Sequence, residues 1–166
     1  MAIHYNAREV FEIGIQIERN GARFYRLAAD RARDTRVKDT FLRLARMEDD
    51  HERLFGNLLS RLPPDAGPVD GYDPDEQAVR HLHAAAGTHV FNVRGGAPQR
   101  MGGMTTPQEV LRAAMEFEKD SIVCFLGMRD MVPENLGRAH IEALISEEMD
   151  HIATLAEQYG SLQPGG

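Results

Sequence analysis

Residues 41–62 read FLRLARMEDDHERLFGNLLSRL, and residues 141–155 read IEALISEEMDHIATL. Each stretch carries apolar residues at helical spacing, interrupted by a Glu-x-x-His: Glu48 with His51, and Glu148 with His151. Phe41, Leu44, Phe55, Leu58 and Leu62 complete the first stripe, and Ile141, Leu144 and Leu155 the second. Positions three apart on a helix share a face, so the Glu and His of each motif can reach one common ligand. They do so on the face where a core would take leucine. An uncompensated buried carboxylate costs several kcal/mol, so a chain that places carboxylates there has to neutralise them.

Working outward, each motif has a helical partner on its N-terminal side. The first partner, 7–33, has Phe11, Ile15, Glu18, Ala22, Tyr25 and Ala29 on one stripe. The third helix opens at Thr106-Pro107-Gln108-Glu109, a threonine cap followed by proline at the first helical position. Its stripe is Leu111, Met115, Glu118, Ile122, Phe125 and Arg129. Pro63 and Pro64 end the second helix, and Pro133 breaks the third from the fourth, because proline donates no helical hydrogen bond. With a turn near Asp34 and ~1.5 Å rise per residue, Glu18 lies ~24 Å from the turn, and Glu48 to His51 ~21 to 26 Å. The heights coincide, so the three side chains can meet across the hairpin. Glu118 matches Glu148 and His151 about Pro133 in the same way.

The halves repeat with an offset of one hundred residues: Glu18 onto Glu118, Glu48 onto Glu148, His51 onto His151. Arg19 and Lys119, Asp30 and Asp130, Leu44 and Leu144, and Asp50 and Asp150 keep that register. One Glu-x-x-His arises easily by chance; two, each with a partner glutamate at the same distance, form a metal-ligand pattern. Two divalent cations would cancel four carboxylate charges, and two neutral imidazoles would complete the set. Oxygen and imidazole donors suit iron, manganese and zinc alike.

These paired motifs resemble the ferritin-like di-iron carboxylate proteins, and among them the rubrerythrin branch. The resemblance implies an all-α, ferritin-like four-helix bundle of two antiparallel hairpins, 7–62 and 106–160, joined by a long crossover at 63–105. The whole, 1–166, would be one domain, with a short helix in the crossover at 73–86. It implies two iron ions bridged by Glu48 and Glu148, capped by Glu18 and Glu118, and bound by His51 and His151. The chemistry expected is an oxidoreductase that oxidises Fe(II) with dioxygen or hydrogen peroxide, as a ferroxidase or a peroxide reductase. A non-catalytic iron carrier or storage protein, and a di-iron hydroxylase of an organic substrate, are the alternatives. A homodimer or larger homo-oligomer is expected.

Two departures narrow the resemblance. Rubrerythrin proper carries a rubredoxin module with four cysteine ligands, and this chain has a single cysteine, Cys124, so electrons would come from another protein. Rubrerythrins also tend to place a further glutamate one turn beyond the lone glutamate of the third helix, where this chain has Ser121.

Composition sets the outer bounds. The chain has 166 residues, 42% hydrophobic and 27% charged, with a formal net charge of -7. That balance repels nucleic acid and anionic lipid, and no apolar run is long enough to span a bilayer. MAIHYNAREV lacks the basic and apolar blocks of a signal peptide, so a cytoplasmic protein is expected. Asp50 and Asp150 are read as exposed or as partners of the imidazoles. Tyr25, two turns from Glu18 on the same stripe, is placed to relay an electron or steady a carboxylate, but its counterpart in the repeat is Phe125 and it is read as a packed core residue. Cys124 is read as a small core residue, and His81, His83 and His89 as ordinary surface or packing residues.

Overall fold

The structure, a computed structural model, describes residues 7–63 and 101–162. Its elements are α1 (Ala7–Arg31), α2 (Thr35–Ser60), α3 (Pro107–Met131), a 3-10 turn (Glu134–Leu136) and α4 (Arg138–Ser161). All are helical, as the periodicity predicts. The expected crossover helix at 73–86, with His81, His83 and His89, lies outside the described residues.

Local chemistry sets the boundaries. The Asp34 side chain caps α2, accepting from the backbone N–H groups of Arg36 at 2.8 Å and Val37 at 3.2 Å. Thr106 and Glu109 close a reciprocal capping box on α3, with Pro107 at its first turn, which satisfies donors that a helix start leaves open. Between α3 and α4 the chain passes Pro133 and turns at Gly137, whose φ of 114° is left-handed. Glycine fits there doubly: a Cβ at Gly137 would stand 2.6 Å from Leu58 Cδ2, and the backbone region itself disfavours other residues.

Helix α1 packs along α2, α3 along α4, and across the hairpins α1 meets α3 and α2 meets α4. The apolar core divides into two clusters. One gathers Phe11 of α1, Phe55 and Leu58 of α2, Phe125 and Met128 of α3, and Ile141 and Leu144 of α4. The other gathers Phe24 and Tyr25, Phe41 and Leu44, Leu111 and Ala114, and Leu155. The start of α1 therefore sits with the end of α3, and the start of α2 with the end of α4. Leu62 belongs to the first cluster and Met101 to the second, with the Met101 carbonyl accepting from Arg31 Nη1 at 2.7 Å. The end of α2 and the approach to α3 thus lie at opposite ends of the bundle, which is why the two hairpins need a long connection.

One stripe differs from its expectation. On α3 the buried line is Leu111, Ala114, Glu118, Ser121, Phe125 and Met128, whereas Met115, Ile122 and Arg129 are only half-buried. The expected stripe followed the larger apolar residues. The helix instead buries small ones, Ala114 and Ser121. Ile15 on α1 is likewise half-buried. Cys124 is wholly buried in the first cluster, and burial pushes its thiol far above the usual range. Among the described residues no helix is long and apolar enough to cross a membrane.

Candidate metal centre

Between the two apolar clusters lies a polar layer. Glu18, Glu118 and Glu148 are 0% exposed, Glu48 and His151 1%, and His51 5%, so water cannot neutralise their charge. All six come from the predicted positions, one glutamate each from α1 and α3 and one Glu-x-x-His each from α2 and α4. The imidazoles of His51 and His151 lie face to face, with ring centroids 5.6 Å apart and planes 18° from parallel.

The ligand atoms fall into two groups, each within 4.8 Å: Glu18, Glu48, His51 and Glu148, then Glu48, Glu118, Glu148 and His151. Glu48 and Glu148 belong to both. His51 Nδ1 stands 2.9 Å from Glu148 Oε1 and 3.7 Å from Glu18 Oε2. His151 Nδ1 stands 2.8 Å from Glu148 Oε2, 3.2 Å from Glu48 and 3.4 Å from Glu118. None of these approaches aligns an N–H with an oxygen as a hydrogen bond. Both oxygens of Glu18 and of Glu148, Oε1 of Glu48, Oε2 of Glu118 and Nδ1 of both histidines lack a hydrogen-bond partner. Buried polar atoms are nearly always satisfied, and the orphaned lone pairs here converge on two points where a cation could satisfy them.

Protons take the place of cations in the bare protein. Burial, then the charge of Glu148, pushes Glu18 well above the usual carboxylate range; Glu48 is raised for the same two reasons. In Glu118 burial is joined by the charge of Glu48. Burial would also raise Glu148, but its contacts with His151 and His51 dominate and hold it at about 2. Burial disfavours the charged imidazole of His51, yet contact with Glu148 and Glu147 lifts it to about 9. His151 is raised further, its burial outweighed by Glu118, Glu148 and Glu48.

Two surrounding residues differ from expectation. Tyr25, for which packing is the favoured expectation and steadying a carboxylate the alternative, does both: it donates its hydroxyl to Glu118 Oε1. Its ring lies edge-on to Phe24 and against Phe41, so it is a core residue whose polar tip holds a site carboxylate. The repeat hid this, because Phe125 has no hydroxyl. Burial and the charge of Glu118 keep the phenol protonated. Asp50 and Asp150 are both exposed, and Asp50 pairs with Arg53. The carboxylate that does reach an imidazole is Glu147, 2.8 Å from His51 Nε2. Its position directly before Glu148, off the apolar stripe, gave no sign of it.

Space for Glu48 comes from a glycine. A Cβ on Gly21 would lie 2.6 Å from Glu48 Oε2 and 3.0 Å from Phe117. Ser121, at the equivalent place in the second half, turns its hydroxyl back to the Phe117 carbonyl at 3.1 Å, leaving that side unencumbered too. Gly21→Ala is expected to leave the helices intact and to weaken metal binding by displacing Glu48. Metal titration beside a circular dichroism melt reads both. Undiminished affinity would show that Glu48 is free to move.

Residues 9–86 match the rubrerythrin family model, a span that holds nearly all of the first hairpin. No curated protein matches the chain significantly. A Thermotoga maritima protein described as ferritin-like and diiron-carboxylate superposes with a TM-score of 0.67 at 23% identity, over 96% of this chain and 97% of that one. The chain thus shares the all-helical fold of that ferritin-like protein and resembles the rubrerythrins over its first hairpin, as its paired motifs predict.

Proposed function

We propose that this polar layer binds two iron ions and that the protein is an oxidoreductase that oxidises Fe(II) with dioxygen or hydrogen peroxide. The observation that carries the proposal is the sharing of Glu48 and Glu148 between two otherwise separate groups of buried donors. Shared carboxylates would bridge the ions. Glu18 with His51 would complete one position, and Glu118 with His151 the other. When bound, iron would supply the one-electron changes that reduction of dioxygen or peroxide requires.

The protein's own part is to hold charge and exclude water. Four carboxylates offset four positive charges, so the loaded layer is neutral inside an apolar core. Tyr25 steadies Glu118 through its hydroxyl, while both oxygens of Glu18 have no such restraint and leave that carboxylate free to change how it binds. Phe24, Tyr25 and Phe41 pack one side of the layer and Phe55 and Phe125 the other. That packing favours a diatomic or peroxide oxidant over a bulky organic substrate, and so an oxidase or peroxide reductase over a hydroxylase. With Cys124 buried and alone, sustained turnover would draw on an external electron-transfer protein. Assembly into a homodimer or larger homo-oligomer in the cytoplasm belongs to the same proposal.

The test is rapid mixing of anaerobic protein, loaded with two equivalents of ferrous iron, against dioxygen or peroxide. Ferrous iron is followed with a chelating dye. Oxidation faster than in buffer, and lost in Glu148→Ala, is the expected result. A rate equal to that of free iron would leave a carrier or storage role.

A further inference from the structure

The repeat that builds the centre is also broken at its two histidines. His51 and His151 both aim Nδ1 at the shared carboxylates, but their other ring nitrogens meet different surroundings. His51 Nε2 lies 2.8 Å from Glu147 Oε2. His151 Nε2 is buried without a hydrogen-bond partner. In the repeat the place of Glu147 is taken by Met47, a half-buried side chain packed against the second apolar cluster, which offers no strong acceptor.

We propose that Glu147 is a positioning residue for His51 that makes the two metal positions unequal, the position of Glu18 and His51 filling first. This rests on the dinuclear reading above. A carboxylate that accepts from Nε2–H fixes the tautomer, leaves the Nδ1 lone pair free for a cation and raises its basicity. Nothing accepts from Nε2 of His151, so no carboxylate holds its proton on that nitrogen when a cation takes Nδ1. Glu147 is also reachable from outside: its side chain is 54% exposed, against 6% for His51. The hydrogen bond therefore links a buried donor to the surface of α4 without contributing to the core, and Glu147 can be exchanged with little consequence for folding.

The chemistry gives a magnitude. Loss of such an outer partner typically weakens metal binding by about 10–100-fold. The test titrates cobalt(II) into metal-free protein, followed by visible absorption, calorimetry and proton NMR. Wild type is expected to bind two ions in two steps. At one equivalent, a single paramagnetically shifted, slowly exchanging ring N–H belongs to His51. Glu147→Met, the residue its counterpart carries, is expected to weaken the first step by about 10–100-fold and to remove that slowly exchanging signal. Total capacity stays at two ions and the melting temperature of the metal-free protein is little changed. Glu147→Gln, which keeps an acceptor oxygen, is expected to restore the signal and most of the affinity. Equal first-step affinity in wild type and Glu147→Met would overturn the proposal, as would a first N–H signal belonging to His151. Absence of cobalt binding by wild type would overturn the dinuclear reading and this inference with it, whereas two ions bound identically in every variant would overturn this inference alone.

Discussion

Glu18→Leu is expected to raise the melting temperature of the metal-free protein while lowering its capacity from two metal ions to one. Glu18 is fully buried and neither of its oxygens has a hydrogen-bond partner. In the metal-free protein burial keeps this carboxyl protonated, and it remains a buried polar group without a partner. Leaving such a group unsatisfied costs about 1–3 kcal/mol, which an apolar side chain of similar volume avoids. In a chain of this size each kcal/mol moves the melting temperature by about 2–4 °C. The change leaves His51 partnered, since Glu148 and Glu147 lie 2.9 and 2.8 Å away. With metal present the order should invert, because binding to the folded state alone adds stability that the variant partly forgoes. Calorimetric melts with and without metal, beside metal analysis, read both halves. A variant that melts lower than wild type in chelator would mean that the Glu18 carboxylate stabilises the bundle by itself.

The second large effect is on pH. Glu18, Glu48 and Glu118 have raised pKa values in the folded protein, so above about pH 4.5 the folded state holds protons that the unfolded chain has released. Stability of the metal-free protein must then fall as pH rises. His51 adds to the same trend: its contribution is complete below about pH 6.5 and is lost as pH passes about 9. Glu148 acts at the other end. Its contribution is present above about pH 4.5 and disappears as pH falls through about 2. The metal-free bundle should therefore be most stable in mildly acidic solution, between these limits, and weaken toward pH 9. Metal binding displaces the same protons, from three carboxyls and two imidazoles, so affinity should rise steeply with pH. Melts of chelated and metal-loaded protein from pH 5 to 9 should diverge as pH rises. Parallel curves would contradict the assignment of those protons to the site.

Much of the fold is readable from spacing. The turn near Asp34, the cap at Thr106, the breaks at Pro63 and Pro133, and the one-hundred-residue register define four helices. They also bring Glu18, Glu48, His51, Glu118, Glu148 and His151 to one height, where the structure gathers them. What spacing could not supply were contacts that the repeat does not share. Tyr25 reaches Glu118 although Phe125 cannot do the equivalent, and Glu147 reaches His51 although Met47 cannot. Reading one half by the other works for the residues that the two halves have in common, and conceals those by which they differ. The α3 stripe failed for another reason. Hydrophobicity favoured Met115 and Ile122, but the face that the neighbouring helices cover carries Ala114 and Ser121, and which face is covered is a tertiary property absent from any single helix. Ser121, at the position where rubrerythrins tend to carry a further glutamate, spends its hydroxyl on the Phe117 carbonyl and adds no ligand to the site.

The central claim, that these six residues form a dinuclear site, is tested most directly by metal analysis of protein purified without oxygen. Wild type and the double variant Glu48→Ala, Glu148→Ala are compared after loading with ferrous iron and desalting. The account predicts two irons per chain in wild type and none in the variant, since both shared carboxylates are gone. Wild type without stoichiometric metal, or a variant that keeps the same amount, would contradict it.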